Sequence, residues 1–122
     1  MRKVAILIAV EDYADSRIPR VKYAEADAQE LAAVLEGHGF TEQDQTVLVN
    51  SAATKALVES RVRRVLANLT KDDTLYLYYA GHGFAENAKN YVTCYDTALD
   101  DLQNTSPKSS ASPWRISPVS VG

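Results

Sequence analysis

Thr74-Leu75-Tyr76-Leu77-Tyr78-Tyr79-Ala80-Gly81-His82-Gly83-Phe84 is the stretch that decides the fold. Its first seven residues carry no charge and are rich in aromatics, as a strand buried on both faces of a parallel sheet requires. The run stops abruptly at Gly81-His82-Gly83, where two glycines let the backbone turn sharply. In an open α/β sheet, chemistry sits just beyond the carboxyl ends of the strands. His82 therefore stands where a general acid or base is expected, and histidine is the side chain suited to that task near neutral pH. The chain holds an internal control in Gly37-His38-Gly39-Phe40, the same tetrapeptide. It follows a helical pattern, so its glycines read as a helix stop and His38 as a solvent-facing loop residue.

Upstream, Val4 to Val10 is a second continuous apolar run with β-branched residues, read as a first, buried strand. Ala24, Ala28, Leu31, Ala32 and Leu35 recur at helical spacing. Thr46 to Val49 reads as a short strand. Thr54 is placed to cap a second helix whose apolar stripe is Val58, Val62, Val65, Leu66 and Leu69. Asp72-Asp73 leads into the Thr74–Ala80 strand, and Tyr91 to Tyr95 reads as one more short strand. Strand-helix-strand-helix-strand predicts a parallel sheet with right-handed crossovers. After Thr105 the composition turns to serine and proline. Residues 106–122 are therefore expected to form a tail, following a domain over 1–105.

The 122 residues suffice for one domain with a real core, and 46% hydrophobic and 24% charged residues are ordinary for a globular protein. A net charge of −3 without a basic stripe argues against nucleic acid as partner. No apolar run is long enough to span a bilayer, so no membrane partner is expected. Arg2-Lys3 before the first apolar run loosely imitates a secretion signal. The acidic Glu11-Asp12 follows where a small-residue cleavage site is needed, so a cytoplasmic protein is expected. The single cysteine, Cys94, excludes an intramolecular disulfide and a cysteine-rich zinc site.

Val4 to Tyr13, Tyr23-Ala24-Glu25-Ala26-Asp27-Ala28 and Asp73 to Gly83 together resemble the caspase-like cysteine peptidases, especially the bacterial metacaspase-type members. Tyr91 to Asp96 is similar to the short strand after the histidine loop of that family. The resemblance covers about residues 3–105. It implies a three-layer, caspase–haemoglobinase type α/β fold with a mostly parallel sheet, incomplete here at the C-terminus. It also implies a thiolate nucleophile, a histidine acid/base and an oxyanion hole. By this match His82 is the catalytic histidine, and the backbone N–H of Gly83 is one oxyanion donor. Asp27 matches an aspartate lining the pocket for the substrate side chain before the cut. A carboxylate there favours arginine or lysine, while the alternative is an acidic residue favourable in the first turn of a helix. Asp96, Asp100 and Asp101 resemble the acidic cluster that binds calcium in some metacaspases, the one cofactor the resemblance raises; a solvated turn is the plainer reading.

The nucleophile departs from the pattern. Caspase-type cysteines stand roughly 50 residues after the histidine, which from His82 falls beyond Gly122. Cys94 lies where the family has no nucleophile, and it reads as a packed small hydrophobe. The chain alone is therefore expected to lack peptidase activity. Expected partners are a protein or peptide substrate, and a missing C-terminal segment or a second caspase-like domain. A truncated or inactive domain acting as a binding or regulatory module is the rival reading. A phosphoacceptor receiver domain, suggested by Glu11-Asp12, is disfavoured because the third strand ends in Ala80-Gly81-His82 where that fold needs an aspartate.

Overall fold

The computed structural model describes residues 1–86 and 89–98. Strand β1 (Lys3–Ala9) is followed by helix α1 (Ala24–Glu36), strand β2 (Gln45–Val49), helix α2 (Lys55–Asn68) and strand β3 (Thr74–Ala80). Strands β4 (Gly83–Glu86) and β5 (Lys89–Val92) come last. The first three strands form a parallel sheet in the order β2-β1-β3. Strands β4 and β5 pair with each other antiparallel, with Gly83 opposite Val92.

β1 sits in the middle of the sheet, which explains its unbroken apolar run. Side chains alternate across a strand, and both faces of β1 are covered. Ile6, Ile8 and Val10 pack with Leu48, Val58 and Val62 on the α2 side. Ala5 and Leu7 meet Leu35 and Phe40, and Ala9 meets Ala24 and Ala28, on the α1 side. The result is three layers, helix on sheet on helix. Alanine at Ala9, Ala24 and Ala28 lets the start of α1 lie close against the carboxyl ends of β1 and β3, where Ala80 joins the same cluster.

The ends of the helices follow local chemistry. Thr54 caps α2 by accepting the Leu57 N–H, and Asp96 accepts the Lys55 N–H at the same terminus. Among the three aspartates compared with a calcium cluster, Asp96 thus serves α2, while Asp100 and Asp101 lie outside the described residues. After α1, Gly39 carries the left-handed conformation at φ 94° that ends the helix run, whereas Gly37 stays helical. Between α2 and β3, the Thr70 and Arg2 backbone N–H groups hold the Asp73 carboxyl below the usual aspartate range.

Two expectations need correction. The Thr74–Ala80 run is not buried on both faces: Tyr76 is 40% and Leu77 52% exposed. β3 is paired on one side only among the described residues, and Tyr76 and Leu77, on opposite faces, are left partly open there, the Tyr76 ring meeting the Phe40 ring edge-on at 6.2 Å. In α2, Val58 and Val62 are buried but Leu66 is 54% exposed, because at 3.6 residues per turn it lies about 80° round the helix from Val58, at the edge of the apolar face. The expected domain boundary near Thr105 and the tail over 106–122 fall outside the described residues.

Candidate functional site

Parallel strands β1 and β3 deliver their carboxyl ends side by side, with Ala9 opposite Ala80 and the Val10 N–H donating to the Ala80 carbonyl at 2.8 Å. His82 lies two residues beyond β3. Its backbone N–H donates to the Tyr13 hydroxyl at 2.9 Å, which ties the histidine loop to the segment leaving β1. The imidazole and the Tyr13 ring are 5.6 Å apart between centroids. Gly81 is required here on packing grounds. A Cβ on it would lie 2.5 Å from the Tyr79 hydroxyl and 3.0 Å from that of Tyr13.

His82 Nε2 lies 2.8 Å from the carbonyl oxygen of Pro19. A carbonyl only accepts, so in the neutral ring Nε2 carries the proton and Nδ1 keeps the lone pair. The lone pair able to accept a proton is thus on Nδ1. The Pro19 carbonyl is itself held. Arg20, next in the chain, donates to Glu11 at 2.6 Å and pairs with Asp12 at 2.9 Å. Val21 N–H donates to the Glu11 carbonyl, and Ile18 is buried in the core. Glu11 also caps α1 by accepting the Glu25 N–H. That role is open because the N-cap residue, Tyr23, sits in the left-handed region at φ 68° with no side-chain cap. Asn50 accepts from the Glu11 and Asp12 N–H groups and donates to Glu25. The acidic pair after β1 therefore serves as an arginine clamp and helix cap.

Gly83 opens β4 next to His82. The Thr93 N–H donates to the His82 carbonyl, a bond that flanks the Gly83–Val92 pair. Antiparallel alternation then makes Gly83 and Val92 a non-bonded pair, and the Gly83 N–H faces away from β5. Asp27 is exposed in the first turn of α1, whose neighbours Ala24 and Ala28 pack at the same end of the sheet. Its charge reaches Tyr78: burial first, then Asp27, raises the Tyr78 hydroxyl above its usual pKa. Cys94 is 2% exposed and its backbone N–H donates to Thr97 Oγ1, an arrangement for packing. His38 is exposed at the far end of α1.

Sequence reasoning places His82 beside the segment Glu11 to Tyr13, as found, but did not find the Pro19 carbonyl or the hydroxyl contacts of Tyr13 and Thr93. A backbone carbonyl leaves no trace in a side-chain pattern, and isolated hydroxyls look like ordinary core tyrosine and threonine. Tyr79 is a case in point: burial, reinforced by Tyr13, pushes its hydroxyl well above the ordinary tyrosine value. The neutral form is thus favoured in the folded state. Its contribution is fully present below the unfolded value of about 10 and is lost as pH rises beyond it. Chemical denaturation between pH 9 and pH 11.5 should show stability falling by up to about 1.4 kcal/mol per pH unit from this group. Tyr79→Phe should flatten that slope; an unchanged slope would remove Tyr79 as its source.

The model of the caspase-domain family, Peptidase C14, matches residues 2–110. A search of the curated proteins gives no match. Among solved structures, protein GSU0716 from Geobacter sulfurreducens is similar at 24% identity with a TM-score of 0.67. The similarity covers 79% of this chain and 40% of that one, so the chain spans less than half the length of that neighbour. At this identity the likeness concerns the fold: a parallel sheet between helices, as found here. With a family match over nearly its whole length and a caspase-like α/β fold, the chain belongs to the caspase-domain peptidase family.

Proposed function

We propose that this domain is the histidine-bearing part of a caspase-like cysteine endopeptidase that cuts after arginine or lysine. The observation that carries the reading is the 2.8 Å contact from His82 Nε2 to the Pro19 carbonyl. It leaves Nδ1 to take the proton of a thiol, after which the thiolate attacks the scissile carbonyl. The imidazolium then returns that proton to the leaving amine. The outward Gly83 N–H suits stabilisation of the oxyanion in both tetrahedral intermediates. Water hydrolyses the acyl-enzyme with His82 again as base. The thiol comes from outside residues 1–122, since the single cysteine is the buried Cys94. Asp27 is the candidate that recognises the basic side chain.

A binding or regulatory role is the second reading, favoured by residues 1–122 holding no cysteine but the buried Cys94. One assay separates the two. Residues 1–122 alone should not cleave arginine- or lysine-terminated reporter peptides, with or without calcium. The gene product in its natural extent should cleave them. If that product is also inert, the binding module stands and the peptidase reading falls. Turnover by residues 1–122 that disappears in Cys94→Ala and in His82→Ala would instead make Cys94 the nucleophile.

A further inference from the structure

Beneath the histidine loop lies a cluster of three hydroxyls that the proposed chemistry does not use. Tyr13 Oη accepts the His82 N–H at 2.9 Å and lies 2.8 Å from Thr93 Oγ1. Thr93 Oγ1 is also 2.8 Å from the His82 carbonyl oxygen. Tyr79 Oη is 2.7 Å from the Thr93 carbonyl and 2.9 Å from that of His82. Each hydroxyl has one proton to give. With Tyr13 accepting from His82, its own proton goes to Thr93 Oγ1, and the Thr93 proton goes to the His82 carbonyl. Tyr79 donates to the Thr93 carbonyl, its shorter contact. The bonds thus run in a closed circle: His82 N–H to Tyr13, Tyr13 to Thr93, Thr93 to His82 C=O. Thr93 is 1% and Tyr13 9% exposed, so water competes poorly for these groups.

We propose that Tyr13 and Thr93 are positioning residues for His82, their hydroxyls clamping both backbone polar groups of the histidine so that Nε2–H is held on Pro19. The inference rests on the acid/base role given to His82. Satisfying the N–H and the C=O of one residue fixes the plane of the peptide on each side of it. That in turn fixes where Cβ points and hence which ring nitrogen meets the Pro19 carbonyl. The same peptide plane carries the Gly83 N–H. One clamp therefore sets the directions of both the base and the oxyanion donor. The residues come from three separate segments, the loop after β1, the loop after β3 and the chain just past β5, so the site is assembled only when all three dock. The Tyr13 ring also lies tilted beside the imidazole, and Tyr13→Phe would keep that contact while deleting the hydroxyl.

The test is nuclear magnetic resonance on residues 1–122, where His38, exposed and remote, is an internal control. In the wild type, ring 15N signals of His82 at neutral pH should show the Nε2–H tautomer alone. In Tyr13→Phe the His82 amide should exchange with solvent about tenfold faster or more, as expected for loss of one buried hydrogen bond. The His82 ring should become a mixture of tautomers, with His38 unchanged. Thr93→Val leaves the His82 N–H on Tyr13 but removes the Thr93 hydroxyl that takes the Tyr13 proton and bonds the His82 carbonyl. It should give the tautomer mixture with a smaller rise in amide exchange, and Thr93→Ser, which keeps the hydroxyl, should restore the wild-type signals. The Ser and Val pair decides the matter if Tyr13→Phe does not fold. Hydroxyl-deleting variants that fold and retain both the protected amide and the single tautomer would overturn the clamp. An Nδ1–H tautomer in the wild type would instead count against the proposed function, while amide exchange would still judge the clamp.

Discussion

Replacing His82 by alanine, in a natural form that supplies the cysteine thiolate, is expected to lower kcat by about 10²–10⁴-fold, the usual contribution of a positioned acid/base. The base must take the thiol proton before attack and protonate the amine afterwards, and alanine does neither. KM should change far less, because the imidazole's job is to move protons and the substrate side chain is recognised elsewhere. His38→Ala gives the internal comparison. Its ring sits in the exposed loop after α1, where its backbone N–H donates to the Leu35 carbonyl and its carbonyl accepts from Lys3, and its loss should leave kcat unchanged. Steady-state kinetics on an arginine reporter decides the point. Equal losses at both histidines, or none at His82, would remove His82 from the chemistry.

Asp27→Ala in the same enzyme is expected to lower the preference for arginine over a neutral residue by about tenfold. A charge-assisted contact between guanidinium and carboxylate contributes about 1.5–3 kcal/mol when partly desolvated, and about 1.4 kcal/mol corresponds to tenfold. Asp27 is exposed in the unliganded chain, so solvent screening puts the effect at the lower end of that range. The measurement is the ratio of kcat/KM for arginine and neutral reporters in wild type and variant. An unchanged ratio would leave Asp27 only its favourable place in the first turn of α1. A wild-type preference for aspartate would reverse the specificity reading altogether.

The alternation of strands and helices was legible because apolar periodicity reports how an element is buried. β1 is the clearest example. The aliphatic, partly β-branched run Val4 to Val10 reads as a strand buried on both faces, and both its faces are covered. His82 was legible for a related reason, since glycines on both sides of a histidine at the end of an apolar run mark a turn at the strand's carboxyl end. Thr54 was readable as a cap because capping is a local event within one turn of helix. The same logic misled at Tyr76 and Leu77. An apolar strand pattern announces burial, yet which side is covered depends on which strands and helices stand beside it.

The sequence by itself therefore determined the order of elements, the parallel sheet and the candidate histidine, all properties of short windows of chain. Only the tertiary structure decided what surrounds that histidine. The Pro19 carbonyl lies 63 residues away in sequence, and Tyr13 lies 69. Thr93 arrives from beyond β5, and Arg20 is held between Glu11 and Asp12. Contacts of this kind are made by backbone atoms and single hydroxyls brought together across the sheet's edge. They obey no period and need no particular residue type in any one window, so the folded arrangement alone reveals them.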